Sequence, residues 1–201
     1  MQNRSGQPSD RFMLWVDAVG GFWICLADVV TIGQSLPCGT ADVPIQADIS
    51  NRHARIRRDG EGYLIEALRQ VRVDGQPVQH RALLTDGSKI ELGEAVRLVF
   101  RRPHALSATA RLDFASHHRT QPSADAVLLM ADACILGPER HSHVVCRDWA
   151  SQVILYRHGD QLYCRTAGEL VIDGVRCQDR GPITRGSRVE GEGFSFSLEA
   201  V

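Results

Sequence analysis

The chain has 201 residues, with 23 Lys and Arg against 24 Asp and Glu and a formal net charge of −1. That length suits one large or two small domains, and the near-neutral balance gives no basis for bulk attraction to nucleic acid or an anionic membrane. No apolar run approaches the ~20 residues needed to cross a bilayer, and the start from Met1 to Pro8 is polar and lacks a secretory apolar stretch, so a cytoplasmic location is expected.

The hydrophobic pattern has period two and is punctuated by glycines. Phe12, Leu14 and Val16 alternate with Met13, Trp15 and Asp17, which predicts a strand. Ala54 and Ile56 alternate with Arg55 and Arg57, as in a strand with one wet face. Tyr63-Leu64-Ile65 reads as another strand, and Val71-Arg72-Val73 runs into Asp74-Gly75, a strong hairpin signal. Lys89 to Leu92 and Val96 to Phe100 follow the Asp86-Gly87 turn, and Pro103 ends the last strand of the first half. Ala110 to Phe114 then starts a new series. No segment sustains helical apolar spacing.

The second half repeats the first. Val73-Asp74-Gly75 has a counterpart in Ile172-Asp173-Gly174, and Leu84 to Glu91 is echoed by Ile183 to Glu190. Ile32-Gly33 matches Leu136-Gly137, and Tyr63 is paired with Tyr163. Gly75 and Gly174 stand 99 residues apart and the two tyrosines 100 apart, an offset that implies duplication of a whole domain. The expectation is an all-β chain of two tandem antiparallel sandwiches, residues 10–103 and 109–201, packed together across a short joint.

None of the six cysteines forms a C-x-x-C pair. They are expected as buried small hydrophobes in a reducing compartment, with a Cys146–Cys164 disulfide as the alternative. His117-His118 and His141, His143 and Cys146 match no closed zinc spacing, so no metal is expected. Ser50 and His53 come without an oxyanion motif, and no constellation supports an enzyme.

Thr31 to Phe100 resembles a forkhead-associated (FHA) domain. The landmarks in order are Thr31-Ile32-Gly33, then Ala47 to Ala54 containing Ser50-Asn51-Arg52-His53, then Val73-Asp74-Gly75, then Leu84 to Gly93. The resemblance implies a two-sheet sandwich whose loops at one end bind phosphothreonine peptides, with a protein partner and no cofactor. It assigns Ser50 as the phosphate-contacting hydroxyl, with Asn51 and Arg52 beside it. His53 takes the place of a buried brace, and Gly33 supplies the tight turn before the first loop. Gln34 stands where the family's phosphate-binding Arg should be, a loss of ~1.5–3 kcal/mol if a charge-assisted bond is missing. Leu68-Arg69-Gln70 lacks the family's Asn, so Arg69 and Gln70 are the candidates to replace its charge and amide. In the second half, Pro138, Ala150, Val153 and Gly168 fall at the Arg, Ser, His and Asn positions, with Arg140 and Ser151 nearby, and a working pocket is not expected there. Two readings stay open: a phosphothreonine-peptide module in Ser/Thr kinase signalling, and a phosphorylation-independent scaffold.

Overall fold

A computed structural model describes residues 10–60 and 62–201; the polar start from Met1 to Pro8 lies outside the described residues. The first half supplies β1 (Arg11–Val16), β2 (Gly20–Cys25), β3 (Val29–Gln34), β4 (Val43–Ile45), β5 (Ala54–Asp59), β6 (Gly62–Ala67), β7 (Val71–Val73), β8 (Gln76–Pro77), β9 (Arg81–Leu84), β10 (Lys89–Leu92) and β11 (Val96–Arg101). The second supplies β12 (Ala110–Phe114), β13 (Ala126–Leu129), β14 (Ala133–Gly137), β15 (Val144–Val145), β16 (Val153–His158), β17 (Gln161–Thr166), β18 (Leu170–Ile172), β19 (Val175–Cys177), β20 (Arg180–Ile183), β21 (Arg188–Gly191) and β22 (Phe194–Ala200). No helix occurs among the described residues, and none is therefore long and apolar enough to cross a membrane.

The Asp-Gly signals are hairpin turns in both halves. Asp74 and Gly75 have φ of +51° and +78°, and Asp173 and Gly174 repeat this at +50° and +81°. Successive left-handed residues match the twist of a two-residue hairpin. Each Asp also works locally, since Oδ1 accepts from Lys89 N–H in one half and from Arg188 N–H in the other, both at 2.8 Å.

Two five-stranded sheets, β4-β3-β5-β6-β9 and β15-β14-β16-β17-β20, pack on one twelve-stranded sheet ordered β19-β18-β21-β22-β1-β2-β13-β12-β11-β10-β7-β8. That long sheet departs from the expectation of two consecutive sandwiches. The first half's closing strand, β11, pairs with β12 rather than with β1. The second half's closing strand, β22, pairs with β1, Leu14 opposite Leu198. The two hairpins meet in the middle through a parallel β2–β13 pair, Phe22 beside Ala126. Each half has thus lent its first two strands to the other, and boundaries at 103 and 109 cut through both sandwiches.

The side chains show why. Phe22 and Ile24 belong to the apolar cluster of Cys134, Leu136 and Phe196, whereas Trp23 and Cys25 belong to that of Val30, Ile32 and Phe100. Neighbours along a strand face opposite ways, so the two small sheets cover opposite faces of the long one. At its centre β2 and β13 are buried on both faces. The β1–β2 hairpin gives Phe12, Leu14, Val16, Phe22 and Ile24 to the second core. In exchange, Ala110, Leu112, Val127 and Leu129 complete the first. Fully burying one large apolar side chain is worth ~1.5–3 kcal/mol, so neither core is complete without the other half's strands.

A fragment of residues 27–130 retains β3–β13 and should unfold cooperatively on heating, with dispersed amide resonances. A fragment of residues 10–103 lacks β12 and β13 and should melt earlier and less cooperatively. A 10–103 fragment as stable as 27–130 would show that β1 and β2 can fold back on β11 and that the exchange is dispensable.

Candidate functional site

At one end of the first sandwich three loops are tied by backbone and one imidazole. β3 ends at Gln34, whose N–H donates to Ser50 C=O at 3.0 Å, and β5 is entered through His53, whose N–H donates to Ile32 C=O at 2.8 Å. His53 is buried, at 4% exposure. Its Nδ1 accepts from Ser50 N–H at 3.2 Å, which puts the ring proton on Nε2, and Nε2 lies 2.8 Å from Gln70 C=O as donor. The His53 carbonyl accepts from the N–H groups of Leu68 and Arg69, and Gly93 N–H shares Gln70 C=O. One side chain therefore holds the Ser50 loop against the 68–70 loop.

Gly33 is dictated by this crossing. A Cβ there would lie 2.0 Å from Asn51 O and 2.4 Å from its carbonyl carbon, so the Ser50-Asn51-Arg52 backbone runs directly over the glycine and no side chain fits.

The arginines sort by partner. Arg55 and Arg57 both pair with Glu66, at 3.3 and 3.4 Å, and Arg58 pairs with Asp28. Arg52 is exposed and has no ion pair or side-chain hydrogen bond among the described residues. Asn51, Arg69 and Gln70 are also exposed on these loops, but Arg69 turns Nη1 back to Leu68 C=O at 2.8 Å. Ser50 is half-buried. Gln34 is tied to the Ser50 loop through its backbone N–H and also lines a cavity of about 400 Å³ with Ser35, Leu36, Gln121 and Pro122. Sequence reasoning missed Gly93 as a member of the braced cluster, although it closes the Leu-Gly landmark.

Strand register revises the second-half equivalences. Ile32 pairs with Ala54 and Leu136 with Val153, so Val153 corresponds to Ala54 and the His53 place falls to Gln152. Counting back three residues from that place puts Trp149, not Ala150, at the Ser50 place, and by strand register Tyr63 corresponds to Leu162, not Tyr163. The shift is one residue, because pairing fixes register more tightly than loop spacing does. Trp149 is buried against Phe194, ring centroids 5.2 Å apart, and fills the space with apolar bulk. A cavity of about 760 Å³ beside it is lined by Ala150, Ser151, Gly168, Glu169 and Glu192, carboxylates that oppose a phosphate. Arg140 lies elsewhere, in cavities bordered by Val19 and Val145, so Arg140 and Ser151 do not come together.

All six cysteines are free thiols, and Cys146 and Cys164 lie unpaired in the second core. Burial pushes the thiols of Cys134, Cys146 and Cys164 up to about 12, so these three are protonated packing groups and not nucleophiles. Burial likewise pushes His143 down to about 4, with His104 nearby adding to the effect.

Two outcomes follow from these contacts. His53→Ala should lower thermal stability by ~1–3 kcal/mol, since it orphans Ser50 N–H and removes a donor from Gln70 C=O; calorimetry reads the loss. His143 takes up its proton more readily in the unfolded chain, at the ordinary value of 6.5, than in the folded one. Its contribution is complete above that value and is lost as pH falls to about 4, a change of up to roughly 3 kcal/mol. Denaturant titrations between pH 7 and pH 4 should show that slope in the native chain and a shallower one in His143→Asn.

The FHA domain family model matches residues 30–93. No curated protein sequence matches the chain. Among solved structures, the chain is similar to the FHA domain of the CT664 protein from Chlamydia trachomatis, at 28% identity over 41% of this chain and 89% of that one, with a TM-score of 0.32. It is also similar to EmbR of Mycobacterium tuberculosis in complex with a low-affinity phosphopeptide, at 26% identity over 46% of this chain and 24% of that one, with a TM-score of 0.32. The N-terminal FHA domain of EssC, a component of the bacterial Type VII secretion apparatus, aligns over 94% of this chain and 95% of its own at 13% identity and a TM-score of 0.25. With the braced Ser50 loop, the crossing at Gly33 and the family match in agreement, residues 30–93 of this chain are a forkhead-associated domain.

Proposed function

We propose that the first sandwich binds a phosphothreonine peptide of a protein partner through its Ser50, Asn51, Arg52, Arg69 and Gln70 loops, within cytoplasmic Ser/Thr kinase signalling. The observation that carries this reading is the state of Arg52. In a strip of four arginines, three are ion-paired, Arg55 and Arg57 sharing Glu66 and Arg58 with Asp28, and the fourth stands beside Ser50 on a loop fixed by His53. A phosphate dianion is recognised by charge-assisted donors and a hydroxyl on rigid loops, and this loop offers both. The second sandwich, with Trp149 and Gln152 in the corresponding places, serves packing and assembly.

One observation favours a phosphorylation-independent scaffold instead. Gln34 supplies no charge, so the phosphate would be held without the usual arginine.

Isothermal titration of the full chain with matched phosphorylated and unphosphorylated threonine peptides from a co-purifying partner separates the two readings. Phosphopeptide binding should weaken in Ser50→Ala and Arg52→Ala by roughly tenfold or more, the scale of one charge-assisted hydrogen bond. Gln34→Arg should strengthen it. Salt dependence should be smaller in Arg52→Ala, since a screened surface charge is gone. Equal affinity for both peptide forms, with Ser50→Ala silent, would leave the scaffold.

A further inference from the structure

Three buried side-chain polar atoms among the described residues lack a hydrogen-bond partner: Arg102 Nε, Ser142 Oγ and His143 Nε2. All three lie at one seam, where the joint after β11 meets the loop between β14 and β15. Arg102 and Ser142 line a single cavity of about 540 Å³. His143 follows Ser142 and gives its carbonyl to Arg111 Nη1 at 2.9 Å, Arg111 being another wall of that cavity. Ser142 and His143 are 2% and 0% exposed. Buried polar atoms in folded proteins are nearly always paired, and an exception points to a missing water, ion or ligand.

The chemistry of the atoms that line the cavity identifies the guest. Arg102 Nε carries only a donor. His143 Nδ1 accepts from Ile135 N–H at 2.9 Å, so its proton sits on Nε2, but this ring lies beside His104 and the Thr109 backbone and is not one of the cavity's walls. The Ser142 hydroxyl can donate. Arg140 walls the same cavity and, with Arg147, an adjoining one of about 790 Å³. Neither arginine has an ion pair or side-chain hydrogen bond among the described residues. Three carboxylates also wall the cavity, facing four arginines (Arg101, Arg102, Arg111 and Arg140): Asp113 pairs with Arg111 and Arg101, while Asp86 accepts from Arg102 N–H and Asp125 from Gly21 N–H, and Asp148 lines the adjoining cavity.

We propose that this seam is an anion site for phosphate, as the free ion or as the phosphoryl group of a partner. Arg102 Nε, the Ser142 hydroxyl and Arg140 bring donors from separate chain segments to one recess, two of them guanidiniums, the charge-assisted donor set that suits phosphate. The site is distinct from the Ser50 loops and exists because of strand exchange, since Val19 and Phe22 of the β1–β2 hairpin close it against the second half's loop. It does not rest on phosphopeptide binding by the first sandwich.

Amide NMR of the full chain, titrated with inorganic phosphate against chloride at matched ionic strength, tests it. Saturable shifts of the Ser142 and His143 signals are expected. Arg140→Gln and Ser142→Ala should each weaken binding roughly tenfold, while Ser50→Ala and Arg52→Ala leave it unchanged. Arg140 is exposed, so its variant keeps the test if Ser142→Ala misfolds. A phosphothreonine peptide titrated in parallel separates the sources: movement of the same signals assigns the phosphoryl group of a partner, and movement with inorganic phosphate alone assigns the free ion. If neither probe moves Ser142 and His143, or if Arg140→Gln binds phosphate as tightly as the native chain, the site is refuted.

Discussion

The structure depends on the parallel contact between β2 and β13. Here two hairpins, each severed from the sandwich that its sequence position suggests, lie side by side with apolar residues on both faces. A parallel pair hidden on both faces is the usual setting for parallel strands, and here the cover is two different cores. Phe22 and Trp23 are adjacent in sequence yet serve different sandwiches. A defect in β2 is therefore felt on both sides of the sheet, and the halves form one cooperative body rather than two modules on a joint.

Upon that scaffold the same backbone carries two chemically opposed loop ends. In the first sandwich Gly33 lets a loop cross at contact distance, and His53 fastens it to Gln70. In the second, a Cβ at Gly137 would meet Gln152 Cγ at 2.9 Å and its Cα at 3.2 Å, a looser approach than the 2.0 Å crossing at Gly33. The loop there is held by the burial of Trp149 against Phe194 and by the Thr166 hydroxyl donating to Gln152 C=O at 3.3 Å, with no imidazole between the loops. The first solution leaves a hydroxyl and a free guanidinium at the surface. The second leaves apolar bulk beside Glu169 and Glu192. The two halves share the same turns, as the paired Thr85–Ser88 and Thr184–Ser187 contacts show, while their loop chemistry differs.

Much of this was legible in the sequence for physical reasons. Asp74-Gly75 and Asp173-Gly174 require left-handed residues that few other pairs supply. Alternation placed Ala54 and Ile56 inward and Arg55 and Arg57 outward, and the ordered landmarks located Gly33, Ser50 and His53. Strand exchange was not legible, because period two specifies which face a residue takes and says nothing about which neighbour a strand chooses. A clue was nonetheless present. Phe22-Trp23-Ile24-Cys25 and Ala126 to Ala131 are unbroken apolar runs, and such runs mark strands covered on both faces rather than one. The one-residue error at Trp149 and Gln152 has the same origin: loops of unequal length carry no register, and only the Leu136–Val153 pairing supplies it.

Exchange also changes where a ligand site can arise. In two sandwiches that merely touch, residues at the joint would be solvated and their polar atoms satisfied by water. Here Arg102 leaves β11, which pairs with the other half's β12, and is held beside the 140–145 loop by a shared sheet rather than by side-chain docking alone. The seam thereby buries donors that have no hydrogen-bond partner. An isolated buried donor costs ~1–3 kcal/mol, and a sheet continuous across both halves is rigid enough to sustain several of them at once. The feature that prevents the halves from folding apart is thus the one that creates a cationic recess between them. A guest bound there would contact both segments and stabilise their interleaving in proportion to its affinity.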